Sequence, residues 1–156
     1  RNIFTLDALG HEWRIRYGDH TFVVANSSNA PQRLFTTDQH HVAVVHDATA
    51  GESELFFYIN GSLAASAELP KPQLEEPQMP LLVGACSSLS INGVARSQNF
   101  AGHLDEVRHW AAVRTEDEVK ATMLLSGPAT RWPALLRTSL QAQYTLDRMD
   151  DIDIVD

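Results

Sequence analysis

The sequence predicts an all-β protein: an antiparallel β-sandwich with one short helix near the C-terminal part of the chain. Two observations carry most of this prediction. Apolar and polar residues alternate along many short runs, which is the period of a strand, and turn-forming residues separate these runs at close intervals. In addition, the pattern of a capped helix start stands out at residues 115–118. Many short strands with one late helix are typical of sandwiches.

The first third of the chain has the pattern of strands. Trp13, Ile15 and Tyr17 alternate with two arginines. The segments TFVVA at 21–25 and HVAVV at 41–45 are rich in β-branched residues, and turn-forming residues bound them. Such runs fit strands that are buried on one or both faces.

A tight hairpin is predicted at Asn60-Gly61, which follows an apolar run and precedes a run of small residues. Both central residues of such a turn need a positive φ, which glycine accepts freely and asparagine tolerates. The next segment, 70–80, contains four prolines, and proline cannot donate to a ladder of hydrogen bonds. We therefore expect an extended connection there that crosses between sheets.

After the run LLVG at 81–84, the segment 85–99 is polar and has no regular pattern, which predicts a loop. An alternating strand is then predicted over 100–110, and it includes the acidic pair Asp105 and Glu106. The question that this pair raises is whether it performs chemistry, binds a metal or only stabilises the fold.

A helix is predicted over 116–125. Thr115 and Glu118 form a capping box, and acidic residues in the first turn suit the positive end of the helix dipole. Gly127-Pro128 is expected to end the helix region. The run LQAQYTLD at 140–147 alternates again and predicts one further strand.

The composition of the chain excludes some classes of function. The chain has 156 residues, of which 44% are hydrophobic, and this suits one compact domain. The formal net charge is -8 and the lysines and arginines are scattered, so we expect no nucleic-acid partner. The lone Cys86 excludes a disulfide within these residues. No apolar run approaches the roughly 18 residues of a membrane helix, so we expect no membrane insertion.

Three stretches occur in an order that is more specific than any one of them: HHVAVVHDATAGESELFFYINGSLAAS at 40–66, PLLVGACSS at 80–88 and FAGHLDEVRHWAAVRTEDEVKATM at 100–123. Together they resemble the laminin G-like and pentraxin-like jelly rolls of the concanavalin A-like lectin/glucanase superfamily. The run LQAQYTLD is similar to a strand found at the edges of such modules.

This resemblance implies a jelly-roll β-sandwich over residues 1–147, followed at 148–156 by an acidic tail or the start of a further segment. Members of the family begin with two or more strands before the strand predicted at Trp13. We therefore expect the jelly roll to lack its first strands, or to receive them from another chain or domain. The resemblance also implies a secreted or extracellular, lectin-like protein that acts in recognition or cell adhesion, with a glycan or a protein as its ligand.

The expected ligand-binding surface is the polar loop, because hydroxyl and amide groups in a rim loop can bind a sugar or a protein. Its candidate residues are Ser87, Ser88, Ser90, Asn92, Arg96, Gln98 and Asn99. The alternative is a solvated connection without a ligand. Trp132, in a loop before Pro133, is the candidate exposed aromatic for stacking on a sugar. The alternative for Trp132, and the one that we favour, is that its ring packs against the sandwich.

Calcium is the cofactor that the resemblance implies, since many relatives bind it at loops on one rim. Ca²⁺ takes six to eight oxygen ligands, so a site needs several converging carboxylates. The segment after LLVG, where pentraxins carry theirs, has none here. Asp105 and Glu106 are therefore the candidate metal ligands. The alternative is that Glu106 pairs with a neighbouring arginine or accepts hydrogen bonds from loop amides.

Three functions stay open at this point. The first, which we expect, is a recognition module without catalytic activity, part of a larger extracellular protein. The second is a structural or assembly domain that another chain completes. The third is glycoside hydrolysis by the carboxylates of the tail DIDIVD at 151–156, which is similar to the strand motif of laminarinase-type glycosidases. Retaining hydrolysis needs two carboxyl groups about 5 Å apart, and both glutamate positions of that motif are aspartate here.

Overall fold

The computed structural model describes residues 4–9, 12–17, 20–26, 39–48, 53–69, 83–91, 94–99 and 102–146, with side chains in 39–48, 53–69, 83–84 and 102–146. In chain order the strands are β1 Phe4–Leu9, β2 Glu12–Tyr17, β3 His20–Asn26, β4 Val42–Asp47, β5 Ser53–Ile59, β6 Ser62–Leu69, β7 Ala85–Ile91, β8 Val94–Asn99, β9 Val107–Trp110 and β10 Leu140–Tyr144. One α-helix, α1 Glu116–Thr122, and two 3₁₀ helices, Ala129–Arg131 and Ala134–Arg137, lie between β9 and β10 in these described parts.

Every strand pairing in the described parts is antiparallel. The strands pair in the orders β1-β2-β3, β4-β5-β6, β7-β8 and β10-β9, and β3 also contacts β6. Antiparallel strands with a single helix confirm the predicted class, a jelly-roll β-sandwich.

The strand β5 buries residues on both of its faces. Leu55, Phe57 and Ile59 point to one face, and the side chain of Phe57 has no exposed surface at all. On the opposite face Tyr58 packs with Val45 of β4 and with Val119 of the helix. The helix therefore covers this second face of the β4–β5–β6 sheet, which we call the helix-covered face.

The hairpin predicted at Asn60-Gly61 is confirmed. Asn60 has φ +49° and Gly61 has φ +78°, as a two-residue turn between antiparallel strands requires. The turn is anchored to the start of β4, because the Asn60 backbone N–H donates to the carbonyl of His41 at 2.8 Å. The turn also lies directly against the helix, since a Cβ added at Gly61 would stand 2.8 Å from Cγ of Lys120 and 3.0 Å from Sδ of Met123.

We expect Gly61→Ala to destabilise the protein more than Gly127→Ala does. Both glycines have positive φ, +78° and +72°, and an L-residue there costs about 1–2 kcal/mol. A Cβ at Gly127 would meet nothing within 4 Å, whereas a Cβ at Gly61 would push into the helix. The extra loss at Gly61 should be about 1 kcal/mol, the lower range for overpacking. Urea unfolding of both variants measures the difference, and equal losses would contradict the turn–helix contact.

The capping box is confirmed. The Thr115 hydroxyl accepts from the Glu118 backbone N–H, and the Glu118 carboxylate accepts from the Thr115 backbone N–H at 2.8 Å. The backbone bond to Thr115 is the main cause that lowers the pKa of Glu118. The helix ends at Thr122, however, three residues before the predicted end. Arg108 of β9 donates hydrogen bonds to the carbonyls of Thr122 and Leu125 at this end.

Several predictions about the other strands are wrong. One strand, β1, precedes the Trp13 strand, where none is predicted. The segment 85–99 is not a loop, because β7 and β8 pair with each other within it. Of the predicted strand over 100–110, the structure describes residues 102–110, and in these the strand is regular only in Val107–Trp110. The proline-rich segment 70–80 lies outside the described residues.

Candidate functional site

The acidic pair lies just before β9 and not inside a strand. Glu106 has φ +52°, a left-handed backbone conformation that interrupts the extended chain, so regular pairing starts only at Val107. The carboxylate of Asp105 accepts a hydrogen bond from the Glu106 backbone N–H at 2.8 Å and is otherwise on the exposed surface. A non-glycine residue in this conformation costs on the order of 1–3 kcal/mol, so surrounding interactions must hold it.

Three donors hold the carboxylate of Glu106. Nη2 of Arg108 donates to Oε2 at 3.0 Å, Nε2 of Gln143 donates to the same oxygen at 2.9 Å, and the Gly127 backbone N–H donates to Oε1 at 2.8 Å. These donors come from β9, from β10 and from the connection after the helix. Glu106 thus joins three separate parts of the chain, and the expectation that it pairs with an arginine and a loop amide is confirmed.

The guanidinium of Arg108 is the centre of the same cluster. Its side chain is 6% exposed, Nη1 donates to the carbonyl of Thr122 at 2.7 Å, and Nη2 donates to the carbonyl of Leu125. These carbonyls at and beyond the end of α1 need donors because the helix itself cannot supply them. The guanidinium also lies over the ring of Trp132, 4.6 Å from the ring centroid. We call Glu106, Arg108, Trp132 and Gln143 the closing cluster.

The acidic pair does not fit a calcium ion. Both oxygens of Glu106 already accept hydrogen bonds, and one of the three donors is a guanidinium, whose charge repels a cation. Calcium needs several free oxygens around one point. Among residues 39–48, 53–69, 83–84 and 102–146, no three His, Cys, Asp or Glu side chains are placed to hold a metal ion. The arrangement around Glu106 is that of a structural ion pair.

Trp132 is buried, so the interpretation of its ring as an exposed sugar-stacking platform is wrong. The residue is 6% exposed, and its indole N–H points to the carbonyl of Ser126 at 3.4 Å. The alternative, packing against the sandwich, is the arrangement found. A second arginine repeats the same contact nearby: the guanidinium of Arg114 lies 4.2 Å from the ring centroid of Trp110.

The predicted ligand-binding residues lie in a hairpin and not in a rim loop. Ser87, Ser88 and Ser90 lie in β7, and Arg96, Gln98 and Asn99 lie in β8, with Cα pairs such as Cys86 with Gln98 and Leu89 with Arg96. Asn92 lies outside the described residues. The hairpin brings these six positions together on one two-stranded ribbon.

Two other groups of chemically capable side chains occur on the β4–β5–β6 sheet. Nε2 of His46 is 2.6 Å from the Ser53 hydroxyl, but Ser53 is 1% exposed, so this pair offers no nucleophile to a substrate. Asp47, Glu54 and Glu68 are opposite one another across β4, β5 and β6, beside a surface groove. Like charges at opposed positions repel each other and disfavour pairing.

The fold and the closing cluster together define a jelly-roll β-sandwich in which the acidic pair is part of the scaffold. The family model described as the concanavalin A-like lectin/glucanases superfamily, of laminin G type, matches residues 2–120. The chain belongs to this family. Comparisons with curated proteins and with solved structures gave no significant match. Within the described residues no helix is both long and apolar enough to cross a bilayer.

Proposed function

We propose that this domain is a recognition module without catalytic activity, part of a larger extracellular protein, and that it binds a carbohydrate or a protein. The observation that carries the proposal is that Glu106 is hydrogen-bonded to other parts of the fold. The acidic pair Asp105 and Glu106 is the first candidate for chemistry, yet the Glu106 carboxylate accepts three hydrogen bonds within the scaffold. Laminin G-like family membership supports a binding role.

The β7–β8 hairpin is the proposed binding surface. It carries hydroxyl, amide and guanidinium groups at Ser88, Arg96 and Gln98, and such groups both donate and accept hydrogen bonds to sugar hydroxyls or to a peptide. Backbone pairing in a two-stranded ribbon fixes the spacing of the residue positions, which reduces the entropy lost on binding.

A glycan array and a pull-down from extracellular matrix proteins test the proposal. We expect binding by the wild-type chain that falls at least tenfold in Arg96→Ala or Gln98→Ala, which corresponds to about 1.4 kcal/mol. Gln141→Ala is the matched control, because Gln141 is an exposed glutamine of another strand, β10. Absence of binding in both assays, or equal loss in the control, would contradict the proposed surface.

Assembly is the second candidate function, and exposed leucines favour it. Leu124 is 83% exposed and Leu135 is 82% exposed, in a region where α1 and the second 3₁₀ helix are in contact. Large exposed apolar side chains mark interaction sites when they form a patch. Light scattering of the wild type and of the Leu124→Ser/Leu135→Ser double variant tests this function. An oligomer that dissociates in the variant supports it, and a monomeric wild type contradicts it.

Hydrolysis by the tail is the alternative that would overturn a role without catalysis. The tail 151–156 lies outside the described residues, so its geometry carries no argument. An assay with β-glucans over a range of pH decides the matter. Turnover that disappears in Asp151→Asn would replace the recognition module with a glycosidase, and no turnover in the wild type supports the proposal.

A further inference from the structure

Two adjacent histidines join β4 to the β5–β6 turn. The backbone N–H of His41 donates to Oδ1 of Asn60 at 2.9 Å, and the backbone N–H of Asn60 donates to the carbonyl of His41 at 2.8 Å. Nδ2 of the same asparagine points to Nδ1 of His40 at 3.3 Å. One side chain in the turn is thus bound by two consecutive residues, and we call these three residues the histidine junction.

The surroundings of both rings favour an Nδ1 atom that carries no proton. The amide Nδ2 of Asn60 can only donate, so Nδ1 of His40 accepts, and it accepts only while it carries no proton. Nδ1 of His41 is buried, with no hydrogen-bond partner within the part of the chain that the structure describes. A proton added there would create a buried N–H donor, and a charge, without an acceptor.

The charged groups around the junction do not offer that acceptor. The positive charge of Arg108 on β9 disfavours a second positive charge on His41, and Arg108 is itself paired with Glu106. On the helix side Lys120 lies on the turn at Gly61 and is paired with Glu116 at 2.6 Å. Burial, and then the charge of Arg108, lower the pKa of His41 below its ordinary value.

Opening of the junction would affect the helix as well as the turn. Gly61 follows Asn60 directly and packs on Lys120 and Met123 of the helix region. If Asn60 is released, the turn loses these hydrogen bonds to the start of β4, and its position against the helix is less firmly held. The histidine junction therefore connects protonation to the packing of α1.

We propose that the histidine junction is an acid-sensitive switch, which holds the β5–β6 turn and α1 together at neutral pH and loosens when His41 takes up a proton. The lowered pKa of His41 determines in which direction the stability changes with pH. The stabilisation is fully present above the ordinary value of about 6.5 and is lost as the pH falls from there through the folded-state pKa.

Hydrogen exchange of the full chain between pH 7.5 and 5.0, corrected for the intrinsic exchange rate, tests the proposal. We expect the opening of the amides of Gly61 and α1 to increase below about pH 6.5, by at most about tenfold per pH unit for each proton taken up. The double variant His40→Gln/His41→Gln should lose this increase, because glutamine does not titrate. His109→Gln, an exposed histidine on β9, is the control and should keep it.

A wild type whose Gly61 and α1 amides open equally at all pH values would overturn the proposal, and so would a double variant that keeps the full pH dependence. If the double variant does not fold, NMR titration of the wild type replaces it. A His41 ring that titrates below pH 6.5, together with shifts of the Asn60 amide at the same midpoint, supports the switch. A ring that titrates without any change at Asn60 contradicts it.

Discussion

Replacing Glu106 with alanine is expected to lower the free energy of unfolding by about 3–5 kcal/mol, the cost of removing one partner of a buried ion pair. The guanidinium of Arg108 would stay buried without its carboxylate, and the donors of Gly127 and Gln143 would lose their acceptor. Equilibrium unfolding in urea, followed by tryptophan fluorescence, measures this loss, since Trp132 belongs to the same cluster.

The neighbouring carboxylate provides the control. Asp105→Ala removes an exposed side chain with one backbone hydrogen bond, so the loss should be about 1 kcal/mol or less. If the two carboxylates bound a cation, both substitutions would cost a similar amount, and added calcium would raise the stability of the wild type by mass action. Similar losses with a calcium-dependent shift would contradict the structural role of Glu106.

Trp132→Ala is expected to lower the free energy of unfolding by a similar amount, about 3–5 kcal/mol, which is the usual cost of truncating a buried tryptophan. The indole is 6% exposed, and its loss would also remove the ring on which Arg108 lies. Thermal unfolding followed by circular dichroism measures the effect, and a domain of this size should lose several degrees for each kcal/mol.

Leu135→Ala tests whether this loss comes from burial. Leu135 is 82% exposed and lies three residues away, so its truncation should change stability by less than about 0.5 kcal/mol. If Trp132→Ala is as mild as Leu135→Ala, the ring does not contribute to the core. An exposed tryptophan, the candidate for stacking on a sugar, would then be the better description.

Local signals in the sequence were sufficient for the elements that depend on neighbouring residues. The Asn60-Gly61 turn needs only two residues that accept positive φ, and the capping box needs only Thr115 and Glu118. The strands β3 and β4 follow from β-branched runs. These features do not depend on distant parts of the chain, which is why pattern alone predicts them.

The β7–β8 hairpin shows where such reasoning needs tertiary information. Its serine-rich run has low intrinsic strand propensity, and pairing of Ala85 with Asn99 is what makes it extended. One local signal existed, because Asn92-Gly93 separates the paired Ile91 and Val94. The same dipeptide marks the turn at residue 60, so its second occurrence could have predicted that β7 pairs with β8.

The closing cluster could be predicted only in part. The pairing of Glu106 with an arginine follows from the cost of leaving a carboxylate unsatisfied. The burial of Gln143 does not follow, because strict alternation along β10 assigns glutamines to the solvent face. A register irregularity between Leu140 and Ala142 changes that alternation. Trp132 is likewise fixed by a contact with Arg108, which is distant in sequence.

The close approach of Gly61 to Lys120 and Met123 has a practical consequence for labelling this protein. Hairpin tips are the usual choice for inserting an epitope or a fluorescent probe, because most of them are surrounded by solvent. Here an insertion would displace the helix as well as the tip. The exposed Thr130 is a better attachment point in the described part of the chain.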